Sequence, residues 1–110
     1  MSRANGGKRL ESLVETRGVE GVYLVSNDGF PVLMEHPGNA DPESVAAVSA
    51  VAAVTCARVG DHLALGNLES ILLEYREGSI VVAARDEGIW VVAGNAGMVV
   101  GEVLLKLDRT

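Results

Sequence analysis

Residues 41–60 read DPESVAAVSAVAAVTCARVG, and the fold turns on how this stretch is read. Asp41 can cap free backbone amides, Pro42 suits the first helical position, and Glu43 complements the positive end of the helix dipole. A long helix is therefore expected to about Val59, with Gly60 as its stop. Between Glu43 and Arg58 no residue is charged. Projected at about 100° per residue, the apolar side chains fall almost all round the helix. Ala46, Ala50, Ala53 and Ala57 form one narrow stripe, Val45, Val48, Ala52 and Val59 another, and Val51 and Val54 lie between them. A surface helix of a lone subunit normally shows water a charged face. Without one, two surfaces should be buried: the β-branched side chains against a sheet, and the alanine stripe against another backbone that small residues let approach closely.

Strand patterns flank this helix on both sides. Residues 22–26 and 30–35 are β-type runs separated by Asn27-Asp28-Gly29, residues that tolerate positive φ and bond their own backbone in turns, so a hairpin is expected. Pro31 lacks an amide donor and belongs at an edge or a non-bonded position, and His36-Pro37-Gly38-Asn39 should stop the strand. Beyond a loop at 61–67, three β-rich runs at 68–75, 79–84 and 89–93 are joined by Arg76-Glu77-Gly78 and Arg85-Asp86-Glu87-Gly88. Links this short permit antiparallel hairpins but not parallel crossovers. Ile71, Leu72 and Leu73 break strict alternation, so both faces of their strand should be covered. Were that strand at a sheet edge, pairing with its own copy across a two-fold axis would satisfy its free backbone groups; the alternative is a central strand.

Helices are expected at both ends. Residues 8–17 place Leu10, Leu13 and Val14 on one side, with Gly18 as the stop; residues 96–107 do the same with Val99, Val100, Val103, Leu104 and Leu107. Residues 1–7 read as a short flexible lead before a single domain at 8–110. The fold class is thus mixed α/β (α+β), one five-stranded antiparallel sheet with helices on both faces.

Composition sets limits on function. Of 110 residues, 48% are hydrophobic, and a chain this small often hides such a surplus by association. A net charge of −6, with Lys8-Arg9 the only adjacent basic pair, would repel phosphate backbones, so nucleic acid is not an expected partner. The lone Cys56 excludes an intrachain disulfide and fits a reducing cytoplasmic setting. No apolar core of a signal peptide stands behind the polar N-terminus, and the uncharged run at 44–57 is too short and weakly apolar for a membrane span, so no membrane insertion is expected.

Assembled in this order, the residues resemble the Roadblock/LC7 family, in particular its prokaryotic members that act on Ras-like GTPases. The resemblance runs from Leu10 to Leu107. It rests on the strand at 21–25, the Asn27-Asp28-Gly29 turn followed by Pro31-Val32, the Ala-rich helix, the strand at 68–75 and the late hairpin ending in 90–94. It implies a long second helix on one face of the sheet and the terminal helices on the other. It also implies a homodimer or heterodimer in which the long helices meet and the third strands pair. Carried over, Val48, Val51, Ala52 and Thr55 would lie near the helix contact, and Ile71, Leu73 and Tyr75 on the pairing strand. The implied role is a non-enzymatic regulator or scaffold that binds a Ras-like small GTPase, some members stimulating GTP hydrolysis without donating a catalytic residue. The resemblance does not say which residues meet the GTPase.

Other chemistry is thinly represented. There is no glycine-rich phosphate loop followed by Lys and Ser/Thr. Gly94-Asn95-Ala96-Gly97 reads as a strand-to-helix turn rather than an anion site, and Arg58 as a dipole-complementing residue rather than an arginine finger. His36, His62 and Cys56 do not share a metal-ligand spacing, Cys56 reads as a small buried hydrophobe, and Asp61-His62 as part of a solvated loop. Trp90 should be half-buried on the sheet, with an interface anchor as its alternative. No catalytic group, metal or cofactor is expected. The rival reading is a small-molecule sensor of the PAS or profilin-like kind, which would need an internal pocket with polar anchors.

Overall fold

The computed structural model describes residues 3–35 and 40–108. The chain runs α1 (Arg3–Val14), β1 (Val19–Val25), β2 (Pro31–Glu35), α2 (Pro42–His62), β3 (Ser70–Tyr75), β4 (Gly78–Arg85), β5 (Gly88–Asn95) and α3 (Val100–Asp108). The five strands form one antiparallel sheet in the order β2-β1-β5-β4-β3. The two hairpin groups therefore meet along β1 and β5, where Val22 faces Val92 and Tyr23 faces Val91. The stop expected at His36-Pro37-Gly38-Asn39 lies outside the described residues.

Alternation along the strands divides the core in two. Val22, Leu24, Val81, Ala83, Trp90 and Val92 point to the face covered by α1 and α3, where Leu13, Val103 and Leu107 are fully buried. Tyr23, Val25, Val82, Ile89 and Val91 point to the other face, where Ala46, Ala50 and Ala53 of α2 pack on them. Long helix on one side and terminal helices on the other is the arrangement expected.

Several boundaries differ from the sequence reading: α1 ends at Val14 rather than Arg17, β1 begins at Val19 rather than Val22, and three further shifts have a visible cause. α1 begins at Arg3, so most of the stretch read as a flexible lead is helical. Gly6 and Gly7 weaken a helix intrinsically, but a Cβ on Gly6 would lie 3.3 Å from side-chain carbons of Leu24 and Leu33, so glycine there lets the helix settle close to the sheet. α2 passes through Gly60 to His62. The reversal falls on Ala64, at φ 57°, closed by Ala64 N–H to Asp61 O at 3.2 Å and Leu65 N–H to Gly60 O at 2.9 Å. That bond pair is a Schellman stop with alanine where glycine is usual. α3 starts at Val100 rather than Ala96, because Asn95 first holds a turn through Gly97 N–H to its Oδ1 and Met98 N–H to its carbonyl.

The α2 surface and the β3 edge

α2 is placed by its N-terminus as the sequence dictates: Glu43 N–H donates to Asp41 Oδ1 at 3.2 Å and the Ser44 hydroxyl to Asp41 Oδ2 at 2.9 Å. Its orientation on the sheet is the reverse of that expected. The alanine stripe, with Ser49, lies on the strands, and Val48, Val51, Val54 and Val59 point away, while Val45 stays packed at the edge of that core. Small side chains let the helix come close to the sheet, whose own Val and Ile side chains already fill the space between the layers. By length and apolar content this 21-residue helix is also long and apolar enough to cross a membrane, contrary to the reading of 44–57. Its Ala46–Ala53 face nonetheless belongs to the protein core.

The outward side is apolar and uncovered. Val48 is 69% exposed, Val51 64%, Val54 51% and Val59 56%, continuing into Leu63 and Leu65. Thr55 adds to this surface, since its hydroxyl is spent on Val51 O at 2.8 Å. Ala52 is half-buried at the margin. The hydrophobic helix is thus not shielded within its own subunit.

β3 is the last strand of the sheet, bonded only to β4 among the described residues. Ile71 and Leu73 pair with Val82 and Ile80, which places them on the α2 side with Tyr75. Both are half-buried, while Tyr75 is exposed. Leu72 points the other way and is 48% exposed, so the expectation that both faces of this strand are covered fails within one subunit. The carried-over residues fall into two groups, one along the open side of α2 and one along a free strand edge.

Trp90 is fully buried at the centre of the α1–α3 face, not half-buried and not an anchor at the surface. Alternation in Gly-Ile-Trp-Val-Val does not reveal which face a strand residue takes. Its indole N–H has no partner among the described residues. Cys56 is half-buried, and Arg58 and His62 are exposed, the His62 Nδ1 lying 2.8 Å from Arg58 O. His36 lies outside the described residues.

A cleft of about 450 Å³ lies between the β4–β5 turn, the approach to β3 and the end of α3, and it opens to solvent. Four of its charged groups pair with one another, Arg9 with Glu87 and Arg85 with Asp108, both at 2.7 Å, and Arg85 also donates to the Glu69 backbone carbonyl, while Glu69 and Asp86 are exposed. This is not the enclosed pocket with free polar anchors that a sensor needs.

The profile of the Roadblock/LC7 domain family matches residues 7–95. An uncharacterized protein of Methanocaldococcus jannaschii, MJ0714, is 31% identical over 100 residues, covering 91% of this chain and 85% of its own. Among solved structures, the gliding protein mglB of Thermus thermophilus superposes with a TM-score of 0.84 at 16% identity, over 96% of this chain and 82% of that one. An MglB structure described as having a tetrameric arrangement superposes equally well, with a TM-score of 0.84 at 16% identity and coverage of 96% and 82%. With the sheet order and the matched span in agreement, the chain belongs to the Roadblock/LC7 family.

Proposed function

We propose that this protein is a homodimeric, cytoplasmic, non-enzymatic regulator or scaffold that binds a Ras-like small GTPase, the chain from the start of α1 through α3 acting as one domain. The observation that carries the reading is the continuous apolar surface of Val48, Val51, Val54 and Val59 on a helix with no charge between Glu43 and Arg58. Leaving such a surface in water costs roughly 25 cal/mol per Å² of apolar area, so a second polypeptide is the favourable cover.

A second copy fits the geometry. Two-fold symmetry would lay Val48, Val51, Ala52 and Thr55 of α2 against the same residues of the partner. It would also join the free β3 edges through Ile71, Leu73 and Tyr75, extending the sheet to ten strands across the axis. Membership of the Roadblock/LC7 family and the likeness to an MglB described as tetrameric support self-association. Membership of the Roadblock/LC7 family, in which the prokaryotic members that this chain resembles act on Ras-like GTPases, supports a GTPase as the further partner. With no phosphate loop of its own, the chain would act on the GTPase's conformation rather than bind GTP.

Size exclusion with light scattering tests the first part: twice the chain mass is expected, and a persistent monomer overturns it. Pull-down with a Ras-like GTPase of the same cell, loaded with GTP or GDP, tests the second. Retention in one nucleotide state is expected; failure in both removes the GTPase.

A further inference from the structure

We propose that β3 pairs with a second copy of this chain in one register, centred on Leu72, and that this strand selects a like chain over a different one. The proposal rests on the self-association reading above.

The backbone determines which groups are available. Ala84 N–H donates to Glu69 O at 3.1 Å, and the β3–β4 register sets these two residues opposite each other. Bonded pairs alternate along an antiparallel ladder, so Ile71, Leu73 and Tyr75 also turn their N–H and C=O groups to β4. Ser70, Leu72 and Glu74 turn theirs outward, where β3 has no neighbour among the described residues. Opposed residues of an antiparallel pair share a face, so a two-fold axis must pass through a residue rather than between two. With the axis at Leu72, this residue opposes its own copy and Ser70 opposes the partner's Glu74. Each outward residue of the strand then exchanges both of its backbone bonds.

The side chains fit the same register. Leu72 stands opposite Val81 on the α1–α3 face and is 48% exposed there. Its own copy supplies the cover that this leucine lacks in one subunit. Ser70 and Glu74 are both exposed, and across the seam the hydroxyl donates to the partner's carboxylate. On the α2 face Ile71 meets the partner's Leu73, and Tyr75 meets the partner's Glu69, a phenol hydroxyl against a carboxylate.

Neighbouring registers lose these matches. Centring on Leu73 opposes Leu72 to Glu74 and brings Glu69 against Glu77. Centring on Glu74 sets that carboxylate against its own copy, and centring on Ile71 opposes Leu73 to Glu69. Residues 70–74, Ser-Ile-Leu-Leu-Glu, are thus self-complementary about their middle, and a strand of different sequence forfeits that match.

The test uses the full chain carrying Cys56→Ala, so that an introduced thiol is the only one. A hydrogen-bonded antiparallel pair holds its Cα atoms about 5.5 Å apart, within the span a disulfide bridges, whereas Leu73 and its copy become diagonal neighbours about 7–8 Å apart. With oxidised glutathione, Leu72→Cys should therefore form a covalent dimer at least about tenfold faster than Leu73→Cys. A second pair of variants does not depend on disulfide geometry. Leu72→Lys and Leu72→Glu should each halve the mass in light scattering, because like charges oppose at the axis, and their equimolar mixture should restore the dimer mass. If the wild type has the dimer mass but Leu73→Cys cross-links as fast as Leu72→Cys, or both charge variants keep that mass alone, the register is overturned while self-association stands. If the wild type is a monomer, both readings fall.

Discussion

Lys106 Nζ lies 2.8 Å from Thr16 Oγ1 and 2.9 Å from Ser12 O, so a residue in the last turn of α3 closes the end of α1, ninety positions away in the chain. Thr16 is almost fully buried and its hydroxyl also reaches Ser12 O, so the ammonium satisfies groups that water cannot easily reach. Both terminal helices thereby cover Trp90 and its neighbours as a unit.

Replacing Lys106 by Met keeps much of the apolar stem and removes the charge-assisted bonds. The expected loss is about 1–3 kcal/mol of unfolding free energy, read as a lower urea midpoint at unchanged slope. A midpoint equal to that of the wild type would show that the cross-link contributes nothing.

What the sequence revealed depended on whether a local signal existed. The Asn27-Asp28-Gly29 hairpin, the Asp41-Pro42 helix start and the short links of β3–β5 each follow from turn or cap chemistry within a few residues, and all three elements are present. The side on which α2 meets the sheet has no such signal. Alanine and valine stripes are both apolar, and only the closeness of the layers selects Ala46, Ala50 and Ala53 for the inside. Gly6 and Gly60 misled for a related reason: glycine marks either a break or a close approach, and here the helices run through both. The outward valines of the candidate site were legible as apolar, but their exposure required knowing that three small residues suffice to seat the helix.

The alanine at the α2 stop provides a second prediction. Ala64 occupies the left-handed region at φ 57°, where a Cβ costs about 1 kcal/mol and glycine costs almost nothing sterically. Ala64→Gly should therefore gain up to about 0.5 kcal/mol in chemical denaturation, which is what remains after the greater chain entropy of glycine in the unfolded state is subtracted. Loss of stability would mean that the exposed loop does not hold this conformation in solution.

A third concerns alkaline pH. Burial pushes the Tyr23 phenol above its ordinary value near 10. The folded state then holds the phenolic proton more tightly than the unfolded state, so this contribution is fully present below about pH 10 and is lost as pH rises through the raised folded value. Urea midpoints measured from pH 9 to 11.5 should fall, and Tyr23→Phe should flatten that fall whatever its effect at pH 7. Parallel curves for the two proteins would exclude Tyr23 as the cause.

The last prediction separates folding from assembly. Val51 is 64% exposed in one subunit, so Val51→Glu places a carboxylate in water and should leave the fold and thermal transition of an isolated subunit within about 0.5 kcal/mol of the wild type. In the proposed dimer the same carboxylate would be buried beside its symmetry mate with no cation to pair with, a cost of several kcal/mol applied twice across the axis. Native circular dichroism combined with half the mass in light scattering is therefore the expected result. If the mass is unchanged, Val51 does not face the second copy, and the outer valines of α2 must meet some other surface. If instead the variant unfolds at all concentrations, the valine side of α2 is needed within the subunit itself, and the structural basis for self-association through this helix is lost.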